Sequence, residues 1–318
     1  MTPKGHRPKN IPASIRARLL NISRERGEDF QSLLDRFARE RLLYRLSQSQ
    51  YRDRFILKGA TLVAIWAEKP FRSTRDVDFL AFGSNEVEAV VAVFRDLCDI
   101  ALHNSISDDG VKFDSSSVHG EQLRKQKGYN GVRIRITAHL DTARANVQID
   151  VGFGDAVVPD AQYVELPVLL DLPAPRLRVY PKETVIAEKL QAMTVLTETN
   201  SRMKDFYDVW VLQNEFEFDG QTLAAAIKAT FANRGTAVVP SSCVAFQASF
   251  YATDKLLARW RAYVQRGSFE RVPPSFAEIG DAISAFLRPV AESIARGEPF
   301  DHIWPPGGPW QSKAQRKG

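Results

Sequence analysis

The chain has 318 residues, 44% hydrophobic and 25% charged, a composition typical of globular proteins and a length compatible with two domains. It contains no apolar run of membrane-spanning length and no apolar core of a secretory signal, so we expect a cytoplasmic protein without a membrane partner. Cys98 and Cys243 stand alone, outside any Cys–His cluster, which argues against structural zinc and a disulfide framework.

The net charge of +5 is unevenly distributed along the chain. Residues 1–58 contain 14 Lys or Arg and 6 Asp or Glu, whereas the remainder is slightly acidic. A basic N-terminal part predicts a polyanionic partner such as nucleic acid. The alternative is a solvated helical face together with a basic tail.

The N-terminal part should be helical after a flexible tail at residues 1–11. Apolar residues recur at helical spacing over residues 12–50, and Gly27 marks a break between two helices. Four arginines fall on the predicted polar side of the second helix, where they would contact a phosphate backbone or only aid solubility: Arg36, Arg39, Arg41 and Arg45.

A candidate catalytic stretch follows at residues 55–82. An apolar run leads into Lys58-Gly59-Ala60-Thr61, and a basic loop at residues 72–75 opens onto Asp76-Val77-Asp78. In a strand, residues i and i+2 share a face, so the two carboxylates should project together and repel each other unless a cation lies between them. Hard oxygen ligands with substrate phosphate suit Mg²⁺. The alternative is an edge strand with two solvated aspartates.

The next segment predicts a helix over residues 85–102 and a polar region over 104–131. In that polar region we expect only a short strand at 111–113 and a mobile lysine-rich loop at 124–128. Residues 132–140 and 147–151 alternate between apolar and polar, which predicts an antiparallel hairpin.

Asp150 lies on the opposite face of its predicted strand from Ile149 and Val151. It would be a third carboxylate if that strand paired beside the one bearing Asp76 and Asp78. A lone strand aspartate is otherwise simply solvent-facing.

Five prolines in residues 159–181 predict a boundary between a domain of residues 1–172 and one of residues 173–318. The second domain should be helical, ending in an extended and then disordered tail from Trp304. The predicted helices span 182–196, 202–212, 220–230, 244–264 and 276–295.

Two motifs in this second half carry charged side chains at informative spacing. Lys189 falls beside the apolar face of the first predicted helix, and Asp205 and Asp208 share one side of the next. Asp205 could orient Lys189 across the two helices, holding its ammonium toward a triphosphate. The alternative is ordinary surface charge, with Lys204 and Asp208 as an i,i+4 ion pair.

Five motifs occur in the order KGAT, RSTRDVDFL, QIDVGFGD, PKETVIAEKL and RMKDFYDVW. Over roughly residues 12–310, the chain resembles the AbiEii/AbiGii-type nucleotidyltransferase toxins of type IV toxin–antitoxin and phage-defence (abortive infection) systems. The resemblance implies an α+β fold of the DNA polymerase β-like superfamily. Its nucleotidyltransferase core, a mixed sheet flanked by helices, would be followed by a helical C-terminal domain that completes the active site.

The resemblance also implies roles for individual residues. Metal binding falls to Asp76 and Asp78, triphosphate binding to Lys189, and an essential role to Asp205. The chemistry of such a transfer adds Asp150, as a ligand of a second metal or as the general base. Nucleotide contacts are expected from Lys58, Gly59, Thr61, Arg72, Ser73, Arg75 and Asp208. Ala60 stands where the family usually has a second glycine, and its methyl group lies where backbone is expected to approach phosphate.

The activity so implied is transfer of a nucleoside monophosphate from an NTP, with two Mg²⁺ ions, to an RNA 3′ end. The expected acceptor is tRNA, whose aminoacylation would then be blocked, and the expected protein partner is a cognate antitoxin. Two alternatives stay open: the same chemistry on a protein hydroxyl (AMPylation), and a non-catalytic nucleotide- or RNA-binding module.

Overall fold

The structure of the protein is a computed structural model. It describes residues 10–59, 61, 62, 66, 76–102, 108–125, 129–267, 269 and 271–316. The predictions for the N-terminal tail before Asn10, for Ala60 and for the basic loop at residues 72–75 therefore lie outside the described residues. No helix in the described part of the chain is long and apolar enough to cross a membrane.

Two helices open the described chain, α1 (Ile11–Arg26) and α2 (Phe30–Ser47). Gly27 ends α1 in the left-handed conformation, with φ of 64°, where a residue without a Cβ is favoured. The side chain of Asp29 then caps α2 by accepting a hydrogen bond from the backbone N–H of Ser32. The predicted pair of helices with a break at Gly27 is confirmed.

The arginines of α2 do not all lie on a polar outer side, as the sequence had suggested. Arg41 is fully buried and Arg45 is 4% exposed. Both guanidinium groups bind the carboxylate of buried Asp109, at 2.9 and 2.8 Å, and Arg41 also donates to the carbonyl of Pro173. The prediction was wrong for these two, because a buried aspartate distant in sequence supplies their partner. Both guanidinium groups are therefore inaccessible to RNA.

One seven-stranded sheet forms the centre of the first half. Its strands are β1 (Phe55–Lys58), β2 (Val77–Ala81), β3 (Val111–Lys125), β4 (Tyr129–Leu140), β5 (Ala143–Phe153), β6 (Gln162–Glu165) and β7 (Arg176–Val179). The order is β3-β4-β5-β2-β1-β7-β6, and α3 (Val87–Cys98) packs against β3. β2 pairs with β5 in parallel, whereas β4 is antiparallel to both of its neighbours, β3 and β5. The sheet is therefore mixed.

Three features of these strands were not predicted. The polar region forms one long strand, β3, because β4 pairs along it on both sides of an irregularity between Asp114 and His119. The connection between β4 and β5 is only two residues long, with Asp141 at φ of 54°, since the pairing starts at Leu140 and Ala143. The proline-rich segment contributes β6 and β7 to the sheet, because its prolines lie outside those short strands.

The second half is mainly helical. It contains α4 (Lys182–Leu196), α5 (Met203–Glu215), α6 (Gly220–Asn233), α7 (Ala248–Tyr251), α8 (Asp254–Arg266) and α9 (Phe276–Arg296). The prediction of a single helix over residues 244–264 was wrong. A 3-10 turn, α7 and α8 occupy this range, because the chain turns twice to bury Phe246, Phe250 and Tyr251.

The C-terminal segment was also predicted wrongly as unstructured. A small sheet joins β8 (Phe218–Asp219), β9 (His302–Trp304) and β10 (Gln311–Ser312). Trp304 is 4% exposed, and its indole N–H donates to the carbonyl of Gln213. This buried tryptophan holds the segment in place, and the composition of the segment did not indicate it.

The chain divides into two compact units. One contains the chain up to Leu57, the segment ending at Gly154 that holds β2–β5, and Tyr163–Arg178. The other starts at Lys58, resumes at Asp155–Gln162 and continues from Val179. The division at residues 172 and 173 remains a prediction. The expected fold class is confirmed: α+β, with a mixed sheet flanked by helices and a helical C-terminal part.

Candidate active site

Three carboxylates come together on neighbouring strands of the mixed sheet. Asp76 directly precedes β2 and Asp78 lies within it, while Val77 and Phe79 are buried on the other side of the strand. β2 pairs with β5 so that Asp78 lies opposite Asp150. In-register residues of parallel strands share a face, and the alternation along β2 places Asp76 on that face as well. The structure thus brings the three predicted aspartates to one side of the sheet.

Asp150 has a cationic partner that sequence reasoning missed. Arg133 lies opposite Asp150 on β4 and binds both carboxylate oxygens, with distances of 2.7 Å from Nε and 2.8 Å from Nη2. The hydrogen bonds to Asp150 raise the pKa of Arg133 above its ordinary value. Gln148, also missed, donates to Asp76 at 2.8 Å. Predicting these partners would have required the register of neighbouring strands. That register depended on a two-residue turn that the sequence analysis did not predict.

The donor chemistry of Asp76 and Asp78 fits Mg²⁺, which binds to one or two carboxylates together with substrate phosphates. In the described residues, no group of three or more His, Cys, Asp or Glu side chains has the arrangement of a metal site. Asp76 and Asp78 have the donor chemistry of metal ligands, and Asp150 has the same chemistry with both of its oxygens bound to Arg133.

A second cluster lies in the helical unit and is built around Lys189 of α4. Its ammonium group binds Asp205 at 2.9 Å and Asp208 at 2.8 Å, both on α5. Each aspartate is 1% exposed and Lys189 is 9% exposed. Burial opposes the lysine's charge, but the two carboxylates outweigh it and raise the pKa of Lys189, so the ammonium stays charged.

The predicted contact of Asp205 with Lys189 across two helices is therefore observed. Arg202 binds the other oxygen of Asp205 at 2.6 Å, which balances the two carboxylates with two cations. The alternative pair of Lys204 with Asp208 does not form, because Asp208 turns inward to Lys189 and Lys204 is exposed. The catalytic role of this cluster remains a prediction.

Lys58, predicted as a nucleotide contact, takes part in a third charged cluster of the helical unit. Its ammonium group lies 2.5 Å from Asp155 and 3.8 Å from Glu188. Arg234 binds the same two carboxylates, at 2.9 and 3.2 Å. Burial raises the pKa of Glu188. Asp155 is the last residue of the QIDVGFGD motif, so the sequence could have indicated it as a site residue. Arg234 lies in none of the five motifs.

Two further predicted nucleotide contacts are described. Gly59 has φ of 81°, a conformation that glycine adopts without strain, as a tight turn after β1 requires. Thr61 is half-buried. Arg72, Ser73 and Arg75 lie outside the described residues. The nucleotide-binding role of these three, and of Gly59 and Thr61, remains a prediction.

A family model named "Nucleotidyl transferase AbiEii toxin, Type IV TA system" matches residues 41–282, well over half of the chain. No curated protein has a significant match to the sequence.

Two solved structures from Helicobacter pylori are similar, each with a TM-score of 0.48 and 14% identity. JHP933 aligns over 84% of this chain and 94% of its own, and a protein described as a candidate nucleotidyltransferase aligns over 85% and 99%. Structural similarity at this level supports no conclusion about activity. The family model, in contrast, matches well over half of the chain. The chain belongs to the AbiEii nucleotidyl transferase toxin family of type IV toxin–antitoxin systems.

Proposed function

We propose that this toxin-family chain transfers a nucleoside monophosphate from an NTP to the 3′ end of an RNA, with tRNA as the acceptor, and thereby blocks translation. The observation that carries the proposal is the register of β2 with β5, which sets Asp78 beside Asp150 with Asp76 on the same face. A nucleotidyltransferase needs carboxylates converging where phosphate and metal meet.

In this mechanism, Asp76 and Asp78 would hold Mg²⁺ together with the phosphates of the NTP. When bound, the metal neutralises phosphate charge and lowers the pKa of the attacking hydroxyl. The acceptor oxygen forms a bond to the α-phosphorus, the bond from that phosphorus to the bridging oxygen breaks, and pyrophosphate leaves. Once Arg133 has released it, Asp150 would serve as a further metal ligand or accept the hydroxyl proton.

Lys189 has the charge and the rigidity to bind the triphosphate. Its ammonium is held by two carboxylates of α5, so its direction is fixed before the nucleotide arrives. Phosphoryl-type transfer depends mainly on positioning and on neutralising charge that develops on the leaving group. Asp205 and Asp208 thus act as positioning residues for Lys189.

RNA as the acceptor is supported by basic side chains that remain at the surface. Exposed arginines lie on α1 and exposed basic residues on α8, and none has an ion pair within the described part of the chain: Arg18, Arg24, Lys255, Arg261 and Arg266. Unpaired Lys and Arg side chains bind phosphate backbones by releasing counterions. The cognate antitoxin would be the protein partner that limits this activity.

The test is incubation of the purified chain with total RNA, Mg²⁺ and each α-labelled NTP in turn. We expect a labelled RNA of tRNA size, lost in Asp78→Asn and retained in Asp160→Asn, an exposed aspartate that serves as the matched control. Label on protein instead of RNA would favour AMPylation. No label with any NTP would favour a non-catalytic binding module.

A further inference from the structure

Arg133 is placed where it interacts with the carboxylates of the candidate metal site. It lies opposite Asp150 on the paired strand and binds both of its oxygens, at 2.7 and 2.8 Å. The side chain of Asp150 is 10% exposed and that of Arg133 is 27% exposed. Two-point hydrogen bonding between charged groups in a partly buried site is strong and fixes the orientation of both side chains.

The charge of Arg133 reaches beyond Asp150. The pKa of Arg133 is raised first by its hydrogen bonds to Asp150, and the negative charges of Asp76 and Glu121 add to the effect. The guanidinium therefore interacts with Asp76, which the proposed function assigns to metal binding, as well as with Asp150.

We propose that Arg133 is the resident counter-ion of Asp150 and competes with a divalent cation for it, so that Asp150 joins the metal site only when this ion pair opens. This inference rests on the proposed function. A divalent cation that binds Asp150 must displace the two hydrogen bonds and overcome repulsion by the guanidinium at short range. A free cation would therefore bind weakly, whereas a cation delivered with anionic phosphates brings charge that attracts Arg133 away from Asp150.

The same strand supplies a matched control. Arg135 lies two residues along β4 from Arg133 and so shares its face. Its partner is Glu121, at 2.7 Å, and both side chains are more than two-fifths exposed. Removing Arg135 takes the same charge from the same face without freeing Asp150.

The experiment is titration of the full chain with Mn²⁺ alone, followed by electron paramagnetic resonance of the free ion. We expect Arg133→Met to tighten Mn²⁺ binding at least tenfold and Arg135→Met to change it less than threefold. In an Asp150→Asn background, the gain from Arg133→Met should disappear. Arg133→Lys, which keeps the charge without the two-point contact, should give a smaller gain and serves if the methionine variant folds poorly.

Unchanged or weaker Mn²⁺ binding in both Arg133 variants would overturn the inference, because Arg133 would then only hold Asp150 in place. So would a gain that persists fully in the Asp150→Asn background. Asp78→Asn separates this failure from failure of the proposed function. If that variant binds Mn²⁺ like the wild type, the metal assignment itself is wrong. If it loses binding while Arg133→Met gives no gain, only the competition is wrong.

Discussion

Replacing Lys189 by methionine tests how the buried cluster of α4 and α5 is stabilised. The change keeps side-chain length and leaves Asp205 and Asp208, each 1% exposed, without their shared cation. Removing one partner from a buried ion pair costs about 3–5 kcal/mol, because an uncompensated charge stays buried. Arg202 still binds Asp205, but its side chain is 49% exposed and its attraction is screened by water.

Thermal unfolding followed by tryptophan fluorescence measures this loss, since all five tryptophans lie in the compact unit that contains Lys189. At about 2–4 °C per kcal/mol for a unit of this size, the expected fall in melting temperature is roughly 6–20 °C. Lys255→Met, an exposed lysine of α8, is the matched control and should change stability by less than about 0.5 kcal/mol.

Adding Asp205→Asn and Asp208→Asn to Lys189→Met removes the stranded charges, so the triple variant should recover most of the lost stability. A fall of less than about 1 kcal/mol in the single variant would refute the reasoning, because a solvated lysine behaves in that way. A triple variant less stable than the single one would refute it as well.

Three further predictions concern the sheet, the Lys58 cluster and the surface. Asp76→Asn should abolish nucleotide transfer while leaving the melting temperature within about 2 °C, since the half-buried side chain contributes little to packing; a folded variant with full activity would remove Asp76 from the site. Glu188→Gln should gain stability relative to the wild type as pH rises from 4 to 7. Because the pKa of Glu188 is raised in the fold, the unfolded chain releases this proton at lower pH than the native state does, and the wild type loses stability over that range. Denaturant titrations at both pH values check the sign, and a constant difference would contradict it. Lys255→Glu with Arg266→Glu should flatten the salt dependence of RNA affinity, by about one unit of log–log slope for each phosphate that the protein no longer neutralises; an unchanged slope would mean that α8 does not bind RNA.

Much of the fold followed from local pattern because the patterns were long and regular. The range of α4 matches the prediction at both ends, residues 182–196, since proline marks its start and apolar residues recur along it. The β4–β5 hairpin was predicted for the same reason. β3 was missed because its polar residues pair through backbone hydrogen bonds, which do not depend on side-chain alternation.

In the candidate site, the sequence predicted the carboxylates but not their partners. Asp150 was considered as a third carboxylate on a neighbouring strand, and the parallel register places it opposite Asp78. Arg133 and Arg234 were not predicted, because each pairs with a carboxylate across strands or helices whose register a single sequence does not contain. Arg45 was interpreted as surface charge because its buried partner, Asp109, is 64 residues away.

The most direct test of the central claim uses purified tRNA in two forms, intact and oxidised by periodate, which destroys the terminal ribose diol. With the chain, Mg²⁺ and α-labelled NTPs, we predict labelled intact tRNA and unlabelled oxidised tRNA, because the 3′ hydroxyl is the proposed acceptor. Equal labelling of both forms, or label that remains on protein, would contradict transfer to an RNA 3′ end.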